Sequence, residues 1–67
     1  MNRPEFEMAL RHVVELGCAE NVDWLFENYG EVGVSQAVLD DVLLEAKRRD
    51  WKQVAMTLRT RGAAYVM

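Results

Sequence analysis

Residues 21–30 constrain the fold of this chain more than any other stretch. They hold three of its six aromatic residues, with Asn21 in front and Gly30 behind. At the helical spacing i, i+3, i+4 and i+7, the apolar side chains form one stripe: Val22, Leu25, Phe26 and Tyr29. Helices shorter than about 12 residues are marginal in water without tertiary packing. We therefore expect the flanking segments to pack around this short helix.

Length and composition predict one small, ordered domain. The chain has 67 residues, of which 51% are hydrophobic and 28% charged, a composition typical of a folded globule. No stretch approaches the roughly 18 to 20 apolar residues that cross a bilayer, and the start of the chain lacks the pattern of a secretory signal. We therefore expect a cytoplasmic protein without a membrane partner.

The first helix is predicted over residues 3–16. Asn2 and Glu5 have the spacing of a capping box, Pro4 suits a first turn, and Gly17 supplies the left-handed residue that ends many helices. Its predicted buried stripe consists of Phe6, Ala9, Leu10, Val13 and Leu16, with Val14 at the edge.

Three further helices follow from caps and periodicity. Asn21 is the predicted cap of the second helix, and the third begins either directly after Gly30 or after a longer loop that ends with Ser35 as the cap. Asp50 is the predicted cap of the fourth helix, which Gly62 ends. The apolar stripes of the third and fourth helices are Val38, Leu39, Val42, Leu43 and Ala46, and then Trp51, Val54, Ala55 and Leu58.

These elements predict an all-α fold, a compact single-domain bundle of three to four short helices over residues 1–62. Residues 63–67 form an apolar C-terminal tail that either docks on the bundle or joins copies into a homo-oligomer. Met8 and Met56 are expected to fill the edge of the core.

The sequence carries no pattern typical of catalysis. We find neither a cluster of metal ligands nor a glycine-rich phosphate loop, and we expect no catalytic residue, cofactor or metal. A single cysteine, Cys18, cannot form an internal disulfide, and nothing in the sequence places His12 against its sulfur. The sequence therefore predicts that the protein is not an enzyme.

Charge divides the chain into two unlike halves. Residues 1–33 carry seven acids and two bases, a net charge of −5, whereas residues 34–67 carry six bases and four acids, a net charge of +2. An acidic half is unsuited to nucleic acid and suits a basic protein surface, although solvated helix faces are often acidic as well. The predicted partner-binding surface is Trp24 ringed by acids, Glu20, Asp23, Glu27 and Glu31.

The basic half offers a competing hypothesis. The third and fourth predicted helices could form a helix-turn-helix, with a candidate basic patch that consists of Lys47, Arg48, Arg49, Lys52, Arg59 and Arg61. In that case nucleic acid would be the partner, although the net charge of the whole chain is −3.

Residues 13–17 and 20–30 carry a family resemblance. They read Val-Val-Glu-Leu-Gly and then Glu-Asn-Val-Asp-Trp-Leu-Phe-Glu-Asn-Tyr-Gly. This pattern resembles small helical proteins found beside abortive-infection nucleotidyltransferase toxins in bacteria, over about residues 9–39. The resemblance implies a short, antitoxin-like helical partner of a toxin.

The sequence as a whole therefore predicts a non-catalytic protein-binding module of bacterial or phage origin. It is expected to be antitoxin-like or inhibitor-like and to act by occupying the surface of a toxin or effector. The alternatives are a phage-encoded inhibitor of the anti-CRISPR type, whose acidic face mimics nucleic acid, and a small DNA-binding regulator that uses the basic half.

Overall fold

Four α-helices joined by short turns make up residues 1–62, the part of the chain that the computed structural model describes. The helices are α1 Arg3–Leu16, α2 Ala19–Tyr29, α3 Gln36–Arg48 and α4 Lys52–Thr60, and a 3₁₀ turn, Gly30–Val32, follows α2. The predicted all-α class and the small single-domain bundle are confirmed. The predicted apolar tail, residues 63–67, lies outside the described residues.

The main helix contacts form a ring. α1 packs on α2 and α3, and α4 packs on the same two helices from the other side. Eleven apolar side chains are buried between them: Phe6, Leu10, Val14, Val22, Leu25, Leu39, Val42, Leu43, Ala46, Val54 and Leu58. Among residues 1–62, every helix is too short or too polar to span a lipid bilayer.

α1 begins and ends as predicted. The Asn2 side chain accepts a hydrogen bond from the Glu5 amide at 2.9 Å, and the Glu5 carboxylate accepts one from the Asn2 amide at 3.0 Å. Gly17 ends the helix with φ +72°. The buried side chains of α1 are Phe6, Leu10 and Val14, so Val14 belongs to the buried stripe and not to its edge. Leu16, two positions later and so nearly opposite on the helix, is 61% exposed, and its predicted burial is wrong.

α2 differs from the prediction at both ends. It begins at Ala19 after Cys18, so Asn21 already lies inside the helix and is not its cap. Gly30 has an ordinary helical φ of −59°, and the chain continues into the 3₁₀ turn before Gly33 reverses it with φ +85°. The link between α1 and α2 is therefore tighter than the predicted one.

Ser35 settles the start of α3. Its hydroxyl accepts a hydrogen bond from the Val38 amide at 3.3 Å, which confirms the longer-loop alternative. Asp50, in contrast, is not a cap: it adopts φ +59° in the turn, and Trp51 occupies the cap position of α4. The prediction that the Asp50 side chain caps α4 is wrong because Asp50 forms the preceding turn with a left-handed backbone.

Candidate functional site

The outward face of α2 carries most of the predicted partner-binding residues. Glu20, Trp24 and Glu27 are exposed and follow the spacing i, i+4 and i+7, which places them on one side of the helix. Glu31 is exposed in the 3₁₀ turn that follows. The structure thus brings an indole ring and two carboxylates to one helix face, with a third carboxylate just beyond its end.

Trp24 is held in place although 56% of it is exposed. Its ring meets that of Tyr29 edge to face, with the centroids 5.9 Å apart. The Asn28 side-chain amide donates a hydrogen bond to the Trp24 carbonyl at 2.8 Å, which fastens the turn between the two rings. An exposed indole with a defined orientation loses less conformational entropy on binding than a freely rotating one.

An open groove lies on the other side of Trp24, between α1 and α2. Its volume is about 560 Å³, and it is lined mainly by apolar side chains: Met1, Ala9, Val13, Asn21, Trp24, Leu25 and Tyr29. Sequence reasoning missed this groove because it assigned Ala9 and Val13 to the core stripe. Their partial exposure shows that α1 and α2 do not close over them.

Asp23 has a different environment from the other predicted site residues. Its carboxylate accepts a hydrogen bond from the Arg61 guanidinium at 3.4 Å, and that guanidinium lies 5.5 Å from the centroid of the Phe26 ring. Asp23 therefore ties the end of α4 to α2, in addition to any contact with a partner.

The candidate basic patch is divided among three places. Arg48 and Arg49 both approach the Glu45 carboxylate, at 3.9 Å and 3.0 Å, and Arg61 pairs with Asp23 on α2. The remaining three cations, Lys47, Lys52 and Arg59, line one groove between the end of α3 and α4. A continuous helix-turn-helix surface of six cations is therefore not formed.

This α3–α4 groove combines charge with apolar side chains. It has a volume of about 330 Å³, and its other lining residues are Ala46, Asp50, Trp51, Ala55 and Met56. Met56 is 60% exposed there, so its predicted place at the edge of the core is wrong. Met8, on α1, is also exposed rather than packed.

Trp51 is fixed to the wall of this groove by the turn between α1 and α2. A Cβ atom at Gly17 would lie only 2.9 Å from Cε2 of the indole, so the glycine backbone packs directly on the ring. The Arg49 guanidinium lies 5.2 Å from the centroid of the same ring. Trp51 thus contributes to the fold, and only part of it faces the groove.

The side chains of residues 1–62 do not form a cluster of the kind that binds a metal ion. Across residues 1–62, no group of three or more His, Cys, Asp or Glu side chains is placed to hold a metal ion, and every charged side chain keeps contact with solvent. Cys18 is partly buried and His12 is exposed.

The chain matches no protein-family model, no curated protein and no solved structure. The resemblance to antitoxin-like proteins therefore depends on residues 13–17 and 20–30 alone.

Proposed function

We propose that this protein is a non-catalytic binding module that occupies the surface of a partner protein through the outward face of α2. The observation that carries the proposal is Trp24, an oriented and largely exposed indole between an apolar groove and the carboxylates of Glu20 and Glu27. Tryptophan is enriched among the residues that dominate binding energy at protein interfaces.

The neighbouring groove supports a protein partner. Exposed apolar surface rimmed by polar groups is typical of interaction sites. Here the groove offers apolar walls from α1 and α2 for a side chain of the partner, while Trp24 inserts into the partner. Both halves of such a contact bury apolar area, which is the main favourable contribution to protein association.

The charge of this face defines the partner further. Glu20, Glu27 and Glu31 favour a surface that carries Lys or Arg, and their attraction should accelerate encounter at low salt. Basic surfaces of this kind occur on proteins that handle nucleotides or nucleic acids. An antitoxin-like or inhibitor-like role in the bacterial cytoplasm, in which α2 covers the basic site of a toxin or effector, fits this chemistry.

A matched pair of double variants tests the proposal. Trp24→Ala with Glu27→Lys alters the proposed face, whereas Met8→Ala with Glu15→Lys makes the same kinds of change on exposed residues of α1. Tagged forms of both variants and the unaltered protein are used to capture proteins from a bacterial lysate, and the captured protein is then purified and titrated calorimetrically.

We expect the unaltered protein and the α1 variant to bind the same partner, and the α2 variant to lose at least tenfold in affinity, because hot-spot residues contribute about 2 kcal/mol or more. Equal binding by the α2 variant would show that the functional surface lies elsewhere. Capture of nucleic acid instead of protein would favour the DNA-binding alternative.

A further inference from the structure

The exposed side of α4 repeats the spacing of the α2 face with opposite charge. Lys52, Met56 and Arg59 stand at i, i+4 and i+7 along α4 and line the α3–α4 groove. Glu20, Trp24 and Glu27 have the same i, i+4, i+7 spacing along α2. In both triads an apolar side chain lies between two charges that are about 10 Å apart along the helix axis.

The two triads are complementary in shape as well as charge. The groove beside α4 has a volume of about 330 Å³ and presents apolar surface from Trp51, Ala55 and Met56. A concavity of this size is at the lower end of the range for small-ligand pockets, about 300–1,000 Å³, and can receive one large side chain. Trp24 offers such a side chain, since its indole is an aromatic ring that is more than half exposed.

The same contacts argue against nucleic acid as the occupant. Single-stranded nucleic acid binds by stacking its bases on open aromatic faces. The Trp51 ring is in contact with Gly17 and with the Arg49 guanidinium, and Asp50 adds a carboxylate to the lining. A helix with two acids and one apolar side chain at the matching spacing can pair its carboxylates with Lys52 and Arg59 and pack its apolar side chain against Met56.

We infer that the α3–α4 groove is a docking site for a second copy of this chain, which presents the Glu20, Trp24 and Glu27 face of its α2. In this contact the two carboxylates lie against Lys52 and Arg59, and the indole of Trp24 enters the groove beside Met56. The inference does not depend on the proposed partner, but self-association covers the same α2 face and therefore competes with partner binding.

The position of the two faces determines the type of assembly. One face belongs to the α1–α2 side of the helix ring and the other to the α3–α4 side, so a bound copy still presents a free face at each end. Such a contact is heterologous and adds copies head to tail. The weight-average mass should therefore rise continuously with concentration and should not level off at that of a dimer.

Charge-reversal variants test the inference by analytical ultracentrifugation. Glu20→Lys with Glu27→Lys removes the acidic face, and Lys52→Glu with Arg59→Glu removes the basic groove. At about 50 mM salt we expect the unaltered protein to associate at high concentration, and each variant alone to remain monomeric. An equimolar mixture of the two variants should associate again and grow head to tail, since the intact groove of one meets the intact α2 face of the other and the two reversed faces are complementary to each other. About 0.5 M salt should dissociate the contact.

Further variants separate docking from folding. Arg3→Glu with Arg48→Glu changes the formal charge by the same amount as Lys52→Glu with Arg59→Glu, but at residues that do not line the groove. This control should leave self-association within twofold of the unaltered protein. Met56→Asp should weaken it at least tenfold, because it places a carboxylate between the two acids of the docked copy. Circular dichroism establishes that each variant is folded.

The inference is overturned if the unaltered protein stays monomeric at low salt and millimolar concentration, or if the mixed variants fail to associate although both fold. It is equally overturned if the groove binds a single-stranded oligonucleotide, or an acidic peptide unlike α2, while the protein stays monomeric. The Lys52→Glu, Arg59→Glu variant should be monomeric and still bind the partner proteins of the α2 face, so failure here is distinct from failure of the proposed function.

Discussion

The two tryptophans follow the same residue type, an aspartate, yet they have opposite environments. Trp24 follows Asp23 and is 56% exposed on α2, whereas Trp51 follows Asp50 and packs against the backbone of Gly17. The residue that precedes each tryptophan therefore does not decide its exposure. A distant glycine makes room for the Trp51 ring. Trp24 instead meets the ring of Tyr29 on its own helix and lines an open groove.

This difference separates a residue that stabilises the fold from one that is available for binding. Trp51 links the α1–α2 turn to the start of α4, two parts of the chain that are far apart in sequence. Trp24 is not part of the core, to which α2 contributes the buried side chains of Val22 and Leu25. Variants of each tryptophan can test whether the two roles are truly distinct.

The largest effect is expected for Trp51→Ala. The removal of a mostly buried indole should lower the free energy of unfolding by about 3 kcal/mol, since Trp→Ala in a core costs roughly 3 to 5 kcal/mol. Trp24→Ala should cost only about 1 kcal/mol, because over half of its surface is already in water. Urea unfolding followed by far-UV circular dichroism measures both. Similar losses for the two variants would show that Trp24 stabilises the fold as much as Trp51 does.

Gly17→Ala should have the next largest effect. A side chain at φ +72° is strained by about 1 to 2 kcal/mol, and its Cβ would press on the Trp51 ring at 2.9 Å. We expect a total loss of about 2 to 3 kcal/mol. Gly30→Ala is the matched control: its φ is −59° and the nearest contact is Phe26 at 4.0 Å, so it should be neutral or slightly stabilising.

A double-mutant cycle separates the clash with the Trp51 ring from the backbone strain at Gly17. If the clash with the indole contributes, Gly17→Ala should cost less when Trp51 is already replaced by alanine, and the coupling should be about 1 kcal/mol. Strictly additive losses would mean that backbone strain alone explains the Gly17 effect. In that case Trp51 would owe its position to Arg49 and the groove side of α4 rather than to Gly17.

The sequence predicted those features whose causes lie within a few residues. The capping box of Asn2 and Glu5, the left-handed Gly17 and the Ser35 cap are local hydrogen-bond and backbone arrangements, and the structure contains all three. The predicted cap at Asp50 follows from the same kind of rule and is wrong, because aspartate also tolerates the left-handed backbone that the turn requires.

The candidate surfaces were predicted less completely. Helical spacing alone places Glu20, Trp24 and Glu27 on one face, and the same arithmetic could have found Lys52, Met56 and Arg59. The pairing of Asp23 with Arg61 and the opening of the α1–α2 groove depend on how helices far apart in sequence meet. Sequence periodicity specifies which residues share a face and leaves open what that face contacts.

Asp23→Asn tests whether this residue belongs to the fold or to the binding surface. Its ion pair with Arg61 is half exposed, so its loss should lower stability by less than about 1 kcal/mol. Partner binding through Trp24 should change by less than threefold. Glu27→Gln, its control on the exposed face, should leave stability unchanged and weaken binding. If Asp23→Asn lowered the free energy of binding more than the free energy of unfolding, Asp23 would belong to the partner-binding surface around Trp24, as the sequence predicts.

The smallest effect, and the most selective test of the groove beside Trp51, comes from Asp50. Asparagine tolerates the φ of +59° found at this position, so Asp50→Asn should leave stability nearly unchanged while it removes the carboxylate that lines the groove. Docking of the acidic α2 face should then tighten about two- to threefold in sedimentation experiments. Asp50→Gly should tighten docking equally and also raise the free energy of unfolding by about 0.5 kcal/mol, since glycine adopts this backbone without strain. Weaker docking in both variants would mean that Asp50 is part of the contact, and that the groove selects its occupant by hydrogen bonding rather than by net charge.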